Sequence, residues 1–386
     1  MNILITSIID LEKTSYSRLH RYIEHLISKG HNVTVVSLKD FWKHKGIKQN
    51  QKLIKKIKIR YITEKELSPI FQKGKAFFSI NNILKGINLK EIDIHLAYNS
   101  LILSYIISQK LIKYKINTVY DLADDLPDMI KTSPQIPSFL QGFAGVFSKF
   151  MLKKNLNNAK IITISAKEFI VSMNIKKYKY EYLPNGVDTK NFKPIKLKSS
   201  KTKQIIIGYL GALREWVDLR PMLLAVKNLK NYKIKVLIVG GEEDLPQYEK
   251  FVKKHKIDHK VTFTGNVPFK EVPKYINKMD ITTIPFKINR VTNGTCPLKL
   301  LEYLGCEKAS ISTPLNEVKS MLGNKVLYAN TVKEWEKQIS ILYHDQILRE
   351  MLGKTGRKFV EENFNWNKIC KDMEDILIKY NNKINK

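Results

Sequence analysis

Cysteine is scarce. Cys296, Cys306 and Cys370 are the three in 386 residues, and they form neither a CxxC pair nor an even framework, which sets aside structural zinc and disulfide stapling. No run of about 18 apolar residues occurs, so no membrane-spanning helix is expected. The start, "MNILITSIIDLEKT", lacks a basic leader and a small-residue cleavage site, and its short apolar run reads as the first strand of a cytoplasmic protein. Acidic residues are few against basic ones, 36 Asp+Glu to 67 Lys+Arg, for a net charge of +31. That excess implies an anionic partner, or a Lys-, Ile- and Asn-rich codon bias. It is similar in both halves of the chain, so no dedicated basic tail is present. One local run stands out: Lys39 to Arg60, "KDFWKHKGIKQNQKLIKKIKIR", interleaves nine Lys/Arg with apolar positions and a single acid. It reads as a patch facing a membrane surface or a polyanion, or as a solvated loop. No RNA- or DNA-binding module is visible, so a basic nucleic-acid binder would rest on charge alone.

What is present is globular: 43% hydrophobic residues, on a chain longer than one core usually organises. "NILITSI" reads as a strand, and "SRLHRYIEHLISKG" as a helix with Leu19, Tyr22, Ile23, Leu26 and Ile27 at helical spacing, closed by Gly30. "NVTVVSL" is the next strand, completing a right-handed strand-helix-strand unit in a parallel sheet. The alternation recurs through "IDIHLAY", "INTVYDL", the long helix "SFLQGFAGVFSKFMLKKNLNNA" and "KIITIS". Breakers then gather in "YEYLPNGVDTKNFKP". A second cycle follows, from "KQIIIGYLGAL" through "YKIKVLIVGGEE", "KVTFTGNV" and "DITTIPF" to "KASIST". Two such runs mean an α/β protein with two Rossmann-like, doubly wound parallel-sheet domains, 1–188 completed by a C-terminal helix 366–386, and 189–365. Ligands of such sheets bind outside the carboxyl ends of the strands, and the expected shared site is a cleft between the domains.

Within "CPLKLLEYLGCEKASIST", Lys299 and Glu302 stand one turn apart on an otherwise apolar helix. If Leu298, Leu301 and Leu304 pack inward, both leave from the shoulder near the helix start at Pro297, where unpaired N–H groups and the dipole favour an anion. The alternative is an ordinary surface pair worth about 0.2–0.5 kcal/mol. "GYLG" lacks the GxGxxG spacing, and no acid stands where a dinucleotide ribose needs one, so a dehydrogenase fits poorly. Gly208 and Gly211 instead permit close approach of backbone to a diphosphate. Asp121, Asp124, Asp125 and Asp128 cluster in "YDLADDLPDM" just after a strand. They read as a base or hydroxyl-binding group for an acceptor, or as helix caps and solvated loop carboxylates.

These parts, in this order, resemble glycosyltransferases of the GT-B fold, particularly the nucleotide-sugar-dependent family 4 (group 1 glycosyltransferases). The resemblance covers nearly the whole chain and rests on "SKGHNVTVVS", "YLPNGVDTKNFKP", "IGYLGAL", "KVLIVGGEE", "VTFTGNVPFKEVPKYINKMDITTIPF", "PLKLLEYLGCEKASIST" and "FVEENFNWNKICKDMEDIL". It implies that Glu302 accepts hydrogen bonds from the nucleotide ribose and that Lys299 neutralises the diphosphate and stabilises charge on the leaving group. With Pro297 and Leu298 at the helix start, the implied donor-binding set includes Gly211, Gly241, and the nucleobase-reading loop at Asn266 and Val267. Where many relatives have a second glutamate this chain has Gly294, and where they have an arginine after the strand glycine it has Ala212. Arg214, with Lys287 or Arg290, is expected to restore the basic clamp. In the first domain the family's usual histidine is missing, which leaves Asp124 or Asp125 as candidate catalytic groups beside Lys299. "DLADD" is metal-like in spacing, but the resemblance implies no essential metal and no cofactor beyond the nucleotide diphosphate-sugar substrate.

The expected activity is therefore transfer of a sugar, of the hexosyltransferase class, to an acceptor hydroxyl during assembly of a cell-surface or lipid-linked glycan. The resemblance implies retention at the anomeric carbon, with inversion left open by Gly294 and the aspartates. A sugar-nucleotide epimerase on the same scaffold is the alternative. Lys39–Arg60 and "PSFLQGFAGVFSKFMLKK" are expected to seat the protein on anionic headgroups at a cytoplasmic membrane face, with interior packing as the competing account of that helix.

Overall fold

The computed structural model describes residues 1–13, 17–39, 50–63, 80–131, 133, 136–195, 204–241 and 244–382. Residues 40–49 of the basic run lie outside the described residues. The chain divides into two compact units, Met1–Pro184 with Asn367–Lys386, and Asn185–Trp366.

The first unit is built on seven parallel strands: β1 (Asn2–Thr6), β2 (Asn32–Ser37), β3 (Lys58–Tyr61), β4 (Ile94–Tyr98), β5 (Thr118–Leu122), β6 (Ile161–Ile164) and β7 (Tyr180–Tyr182). Their order is β3-β2-β1-β4-β5-β6-β7, with Ile3 opposite Val33 on one side and Ile94 on the other. The central strands are buried along their whole length, which is why they read as continuous apolar runs rather than alternating ones. The helix Arg18–Ser28 turns Leu19, Tyr22, Ile23 and Leu26 inward. His20 completes its start: Ser17 N–H donates to His20 Nδ1 at 3.0 Å, and burial lowers the ring's pKa, consistent with a neutral acceptor. Gly30, at φ +79°, ends the turn. The edge strand β3 was hidden in sequence within the basic run. Its exposed and half-buried residues alternate, and only pairing with β2 brings it into the sheet.

The helix Trp366–Lys379 returns to this unit. It buries Ile369, Met373, Ile376 and Leu377. Glu374 accepts from His25 Nε2 at 2.7 Å and His31 Nε2 at 2.8 Å. Burial alone would raise that carboxyl, but the two histidine hydrogen bonds hold it below the ordinary value.

The second unit has six parallel strands: β8 (Ile205–Leu210), β9 (Ile234–Val239), β10 (Val261–Phe263), β11 (Ile281–Ile284), β12 (Ala309–Ser312) and β13 (Leu327–Tyr328), in the order β10-β9-β8-β11-β12-β13. Ile207, Tyr209, Val236, Ile238, Ile281 and Ile311 form the middle of its core with Leu300, Leu301, Tyr303 and Leu304 of the helix Leu298–Gly305. In each sheet the chain winds outward from one strand and then restarts on its other side. The reversal falls between β1 and β4 in the first unit and between β8 and β11 in the second. Such points leave an opening at the strands' carboxyl ends, where ligands of doubly wound folds bind.

Candidate active site

At the reversal point of the second unit, β8 ends on Leu210 and the chain leaves through Gly211, at φ +134°, a conformation that L side chains rarely adopt. Gly211 N–H donates to Val239 O at 2.8 Å, Leu213 N–H to Gly241 O at 2.7 Å, and Gly240 N–H to Gly265 O at 2.9 Å. The exits of β8, β9 and β10 are thus tied to one another. Gly240, at φ +109°, lies so close to the Gly211 carbonyl that no side chain fits between them.

The turn "REWVD" then folds back over the exit of β11. Asp218 N–H donates to Pro285 O at 2.7 Å and Lys287 N–H to Trp216 O at 2.8 Å, around an antiparallel bridge between Val217 and Phe286. This strap spans the two strands that flank the reversal. Arg214 and Lys287 are exposed on it. Arg290, also exposed, opens the short helix Arg290–Asn293, whose start is capped by Asn289 accepting from Thr292 N–H at 3.0 Å.

The helix Leu298–Gly305 begins after Pro297 and carries no capping side chain at its start. Leu298 does not pack inward as expected: it is 41% exposed, and Leu300 takes its place in the core beside Leu301 and Leu304. The register is set by Tyr303, whose buried hydroxyl accepts from Leu210 N–H at 2.8 Å. That rotation aims Lys299 at the end of β8. Its Nζ stands 3.4 Å from Tyr209 Oη and lies over the Tyr209 and Phe286 rings at 5.4 and 5.9 Å. The ammonium end occupies the space that a Gly211 side chain would fill. The structure therefore brings Gly211 and Lys299 together at the helix start.

Glu302 follows one turn later, half-buried. Desolvation pushes its carboxyl up to about 8, with Lys299 pulling the other way. Gly241 is buried at the exit of β9. Asn266 is exposed and Val267 half-buried after β10, next to Gly265, whose carbonyl accepts from both Gly240 N–H and the Thr264 hydroxyl. Tyr209, Phe286 and Tyr303, which place Lys299, went unflagged in the sequence. The one hint was Tyr209 held between the two glycines of "GYLG".

In the first unit the aspartate cluster separates into distinct roles. Asp121 is not a loop carboxylate: it lies within β5, fully buried. Arg18 grips it through Nε and Nη2, both at 3.1 Å, and the Thr163 hydroxyl donates to it at 2.7 Å. Arg18 also donates to Leu183 O at 2.7 Å and Pro184 O at 2.6 Å, fixing the chain where this unit ends. Burial opposes the guanidinium charge, but Asp121 beside it outweighs that and raises the pKa. Asp125 is buried and accepts from Asp128 N–H at 3.1 Å, capping the helix Leu126–Lys131. Asp128 is buried too and pairs with Lys131 at 3.5 Å.

Asp124 alone of the four keeps an exposed side chain. It exchanges hydrogen bonds with Asn99, accepting from Nδ2 at 3.2 Å and donating its N–H to Oδ1 at 3.3 Å. Crowding on its remaining sides raises its carboxyl by desolvation; Arg18 opposes this, and Asp121 and Asp125 add to it. Asn99, at φ +38° just past β4, marks the reversal point of this sheet. Among the described residues, no three His, Cys, Asp or Glu side chains converge on a point that would hold a metal ion.

Residues 191–359 match the family model described as glycosyl transferases group 1. That match covers somewhat under half of the chain and falls within the second unit. An uncharacterised glycosyltransferase of Methanocaldococcus jannaschii is 24% identical over 238 residues, which span 58% of this chain and 59% of that relative. The chain thus aligns with somewhat over half the length of that protein. Among solved structures, sucrose-phosphate synthase from Thermosynechococcus elongatus superimposes with a TM-score of 0.76 at 14% identity, covering 98% of each chain. HepE from Anabaena, solved in complex with UDP-glucose, superimposes at 0.69 with 13% identity over 98% of this chain and 100% of its own. At such identities the likeness is one of fold, and the fold is GT-B. The matched segment contains Gly211, Lys299 and Glu302 together with the strap; Asn99 and Asp124 belong to the other unit.

Proposed function

We propose that this protein is a glycosyltransferase that moves a hexosyl group from a nucleoside diphosphate-sugar to an acceptor hydroxyl. The observation that carries the reading is the seating of Lys299 against Gly211, at the reversal point of the second unit, with Glu302 one turn beyond. In the reaction the acceptor oxygen bonds to the anomeric carbon on the face from which the β-phosphate oxygen departs, the bond from that carbon to that oxygen breaks with its electron pair going to the nucleoside diphosphate, and the acceptor's hydroxyl proton passes to the departing phosphate oxygen. The charge the diphosphate gains is met by the Lys299 ammonium and by the uncapped N–H groups at the start of the helix Leu298–Gly305. Glu302, whose carboxyl desolvation pushes up to about 8, offers its two oxygens to the ribose hydroxyls. Gly241 and the Asn266–Val267 turn sit at the exits of the adjoining strands, where the backbone is positioned to read a nucleobase. Arg214 and Arg290 supply further cations on either side of the strap.

In the first unit Asp124 is the carboxylate assigned to the acceptor hydroxyl, since Asp125 is committed to a helix start and Asp121 to Arg18. The sugar is transferred with retention, and the acceptor is a lipid-linked or cell-surface glycan met at the cytoplasmic face of a membrane. A uridine nucleotide is the first donor to test, because HepE is solved with UDP-glucose. A thermal-shift panel of nucleoside diphosphates is the experiment: a ligand present at 100 times its dissociation constant stabilises the fold by about 2.7 kcal/mol. One base is expected to raise the melting temperature well above the others, and the matching sugar nucleotide to be consumed only when acceptor is added. Consumption of sugar nucleotide into an epimer without acceptor, or no response to any nucleotide, overturns the proposal.

A further inference from the structure

The helix Ser138–Asn158 packs Gly145, Ser148, Met151, Leu152, Asn155 and Leu156 inward. Its other face is unusual. Phe139 is 82% exposed, Phe143 73%, Val146 68% and Phe150 53%. Steps of four, three and four residues set these on one line along the helix, about 17 Å long at 1.5 Å per residue. Phe147 stacks on Phe143 at 6.5 Å between ring centroids. The exposed phenylalanines alone amount to on the order of 500 Å² at ~200 Å² per residue, which is the size of the largest apolar patch a typical monomer exposes, and such patches are often functional. Lys153 and Lys154 continue the same line in the next turn, and Lys149 flanks it, all three exposed. Lys154 Nζ lies over the Phe150 ring at 5.3 Å. No acidic residue occurs anywhere in the helix.

We propose that this face docks on an anionic lipid bilayer, with the phenyl rings among the upper acyl chains and the lysines against headgroup phosphates. Rings ending in a cationic turn match the two layers such an interface presents, an apolar depth of about 5–10 Å beneath a negative surface. A second copy of this chain is a poorer occupant, because each copy carries +31 and brings that charge to the contact. Among the described residues no helix is long and apolar enough to cross a membrane, so attachment of this kind is peripheral. The inference rests on the membrane part of the function proposed above and not on the transfer chemistry. Of the two segments expected to meet a membrane, it concerns this helix; residues 40–49 of the other lie outside the described residues.

The test uses the full chain and vesicles of phosphatidylcholine with or without phosphatidylglycerol, with no nucleotide present, so that failure here leaves the donor assignment untouched and failure of donor binding leaves this one. The wild type is expected to sediment with the anionic vesicles. The triple variant Phe143→Ser, Phe147→Ser, Phe150→Ser is expected to keep the wild-type melting temperature and lose at least about tenfold in partitioning, and Lys149→Gln, Lys153→Gln, Lys154→Gln to lose a comparable share on anionic vesicles only. A Phe143→Trp variant should shift its emission to the blue on binding and be quenched by lipids brominated on their acyl chains. Three outcomes overturn the proposal: no vesicle binding by the wild type, unchanged binding by the triple phenylalanine variant, or a dimer in sedimentation that this variant turns to monomer.

Discussion

Replacing Lys299 with methionine tests the electrostatic half of the site with little change in volume. In the free protein the ammonium stands 3.4 Å from Tyr209 Oη and over two aromatic rings, so methionine retains most of the packing against Tyr209, Phe286 and Gly211. What is removed is one charge-assisted contact to a diphosphate, worth about 1.5–3 kcal/mol. At 1.4 kcal/mol per decade, affinity for the recognised nucleoside diphosphate should fall by roughly 10–150-fold. Affinity for the nucleoside without phosphates should not change, because the ribose and base contacts lie on other residues. Isothermal titration of both ligands against both proteins gives the comparison, and matched melting temperatures exclude a folding defect. Equal losses for nucleoside and diphosphate would refute the reasoning, since Lys299 would then be shaping the pocket rather than meeting charge.

Other substitutions probe the neighbouring parts. Gly211→Ala forces an L side chain into φ +134° and onto Lys299; it should destabilise by about 1–3 kcal/mol and weaken diphosphate binding, as read by melting and titration. Glu302 keeps its proton in the folded state up to about pH 8, against an ordinary value of 4.5. Between those values the folded chain binds a proton that the unfolded chain has lost, so wild-type stability should fall as pH rises through that window. Glu302→Gln should match the wild type at about pH 5 and exceed it by about 1 kcal/mol at about pH 9, after allowance for solvent screening; identical melting curves at both would show the carboxyl to be unperturbed. Asp121→Asn leaves the Arg18 charge buried without its partner and should lower the stability of the first unit by about 3–5 kcal/mol; a denaturant melt that does not move contradicts the structural role given to this pair.

The alternation of buried strands and amphipathic helices was legible because a parallel sheet covered on both faces leaves uninterrupted apolar runs such as "ILIT" and "IHLAY". Edge elements were not. β3 and β7 are short and only partly buried, so their residues carry little hydrophobic signal. Lys299 and Glu302 could be picked out as a pair one turn apart. The face of the helix that turns inward could not, because it depends on the reach of Tyr303 to a backbone amide 93 residues away, and this is why Leu298 was misplaced. How the aspartates divide between acceptor chemistry and capping was not legible for a similar reason. Asp121 is defined by Arg18, 103 residues earlier in the chain, Asp125 by a helix start, and Asp124 by Asn99 on a neighbouring strand exit. The aromatic helix Ser138–Asn158 carried two readings in sequence, a membrane seat and interior packing, and only folding reveals which rings the core leaves out.

The most direct measurement is a crystal structure of the protein with its preferred nucleoside diphosphate. The account predicts the ribose hydroxyls within hydrogen-bond distance of the Glu302 carboxyl and the diphosphate resting on Lys299 and the Gly211 backbone. A nucleotide bound with neither contact, away from the exits of β8 and β11, would contradict it.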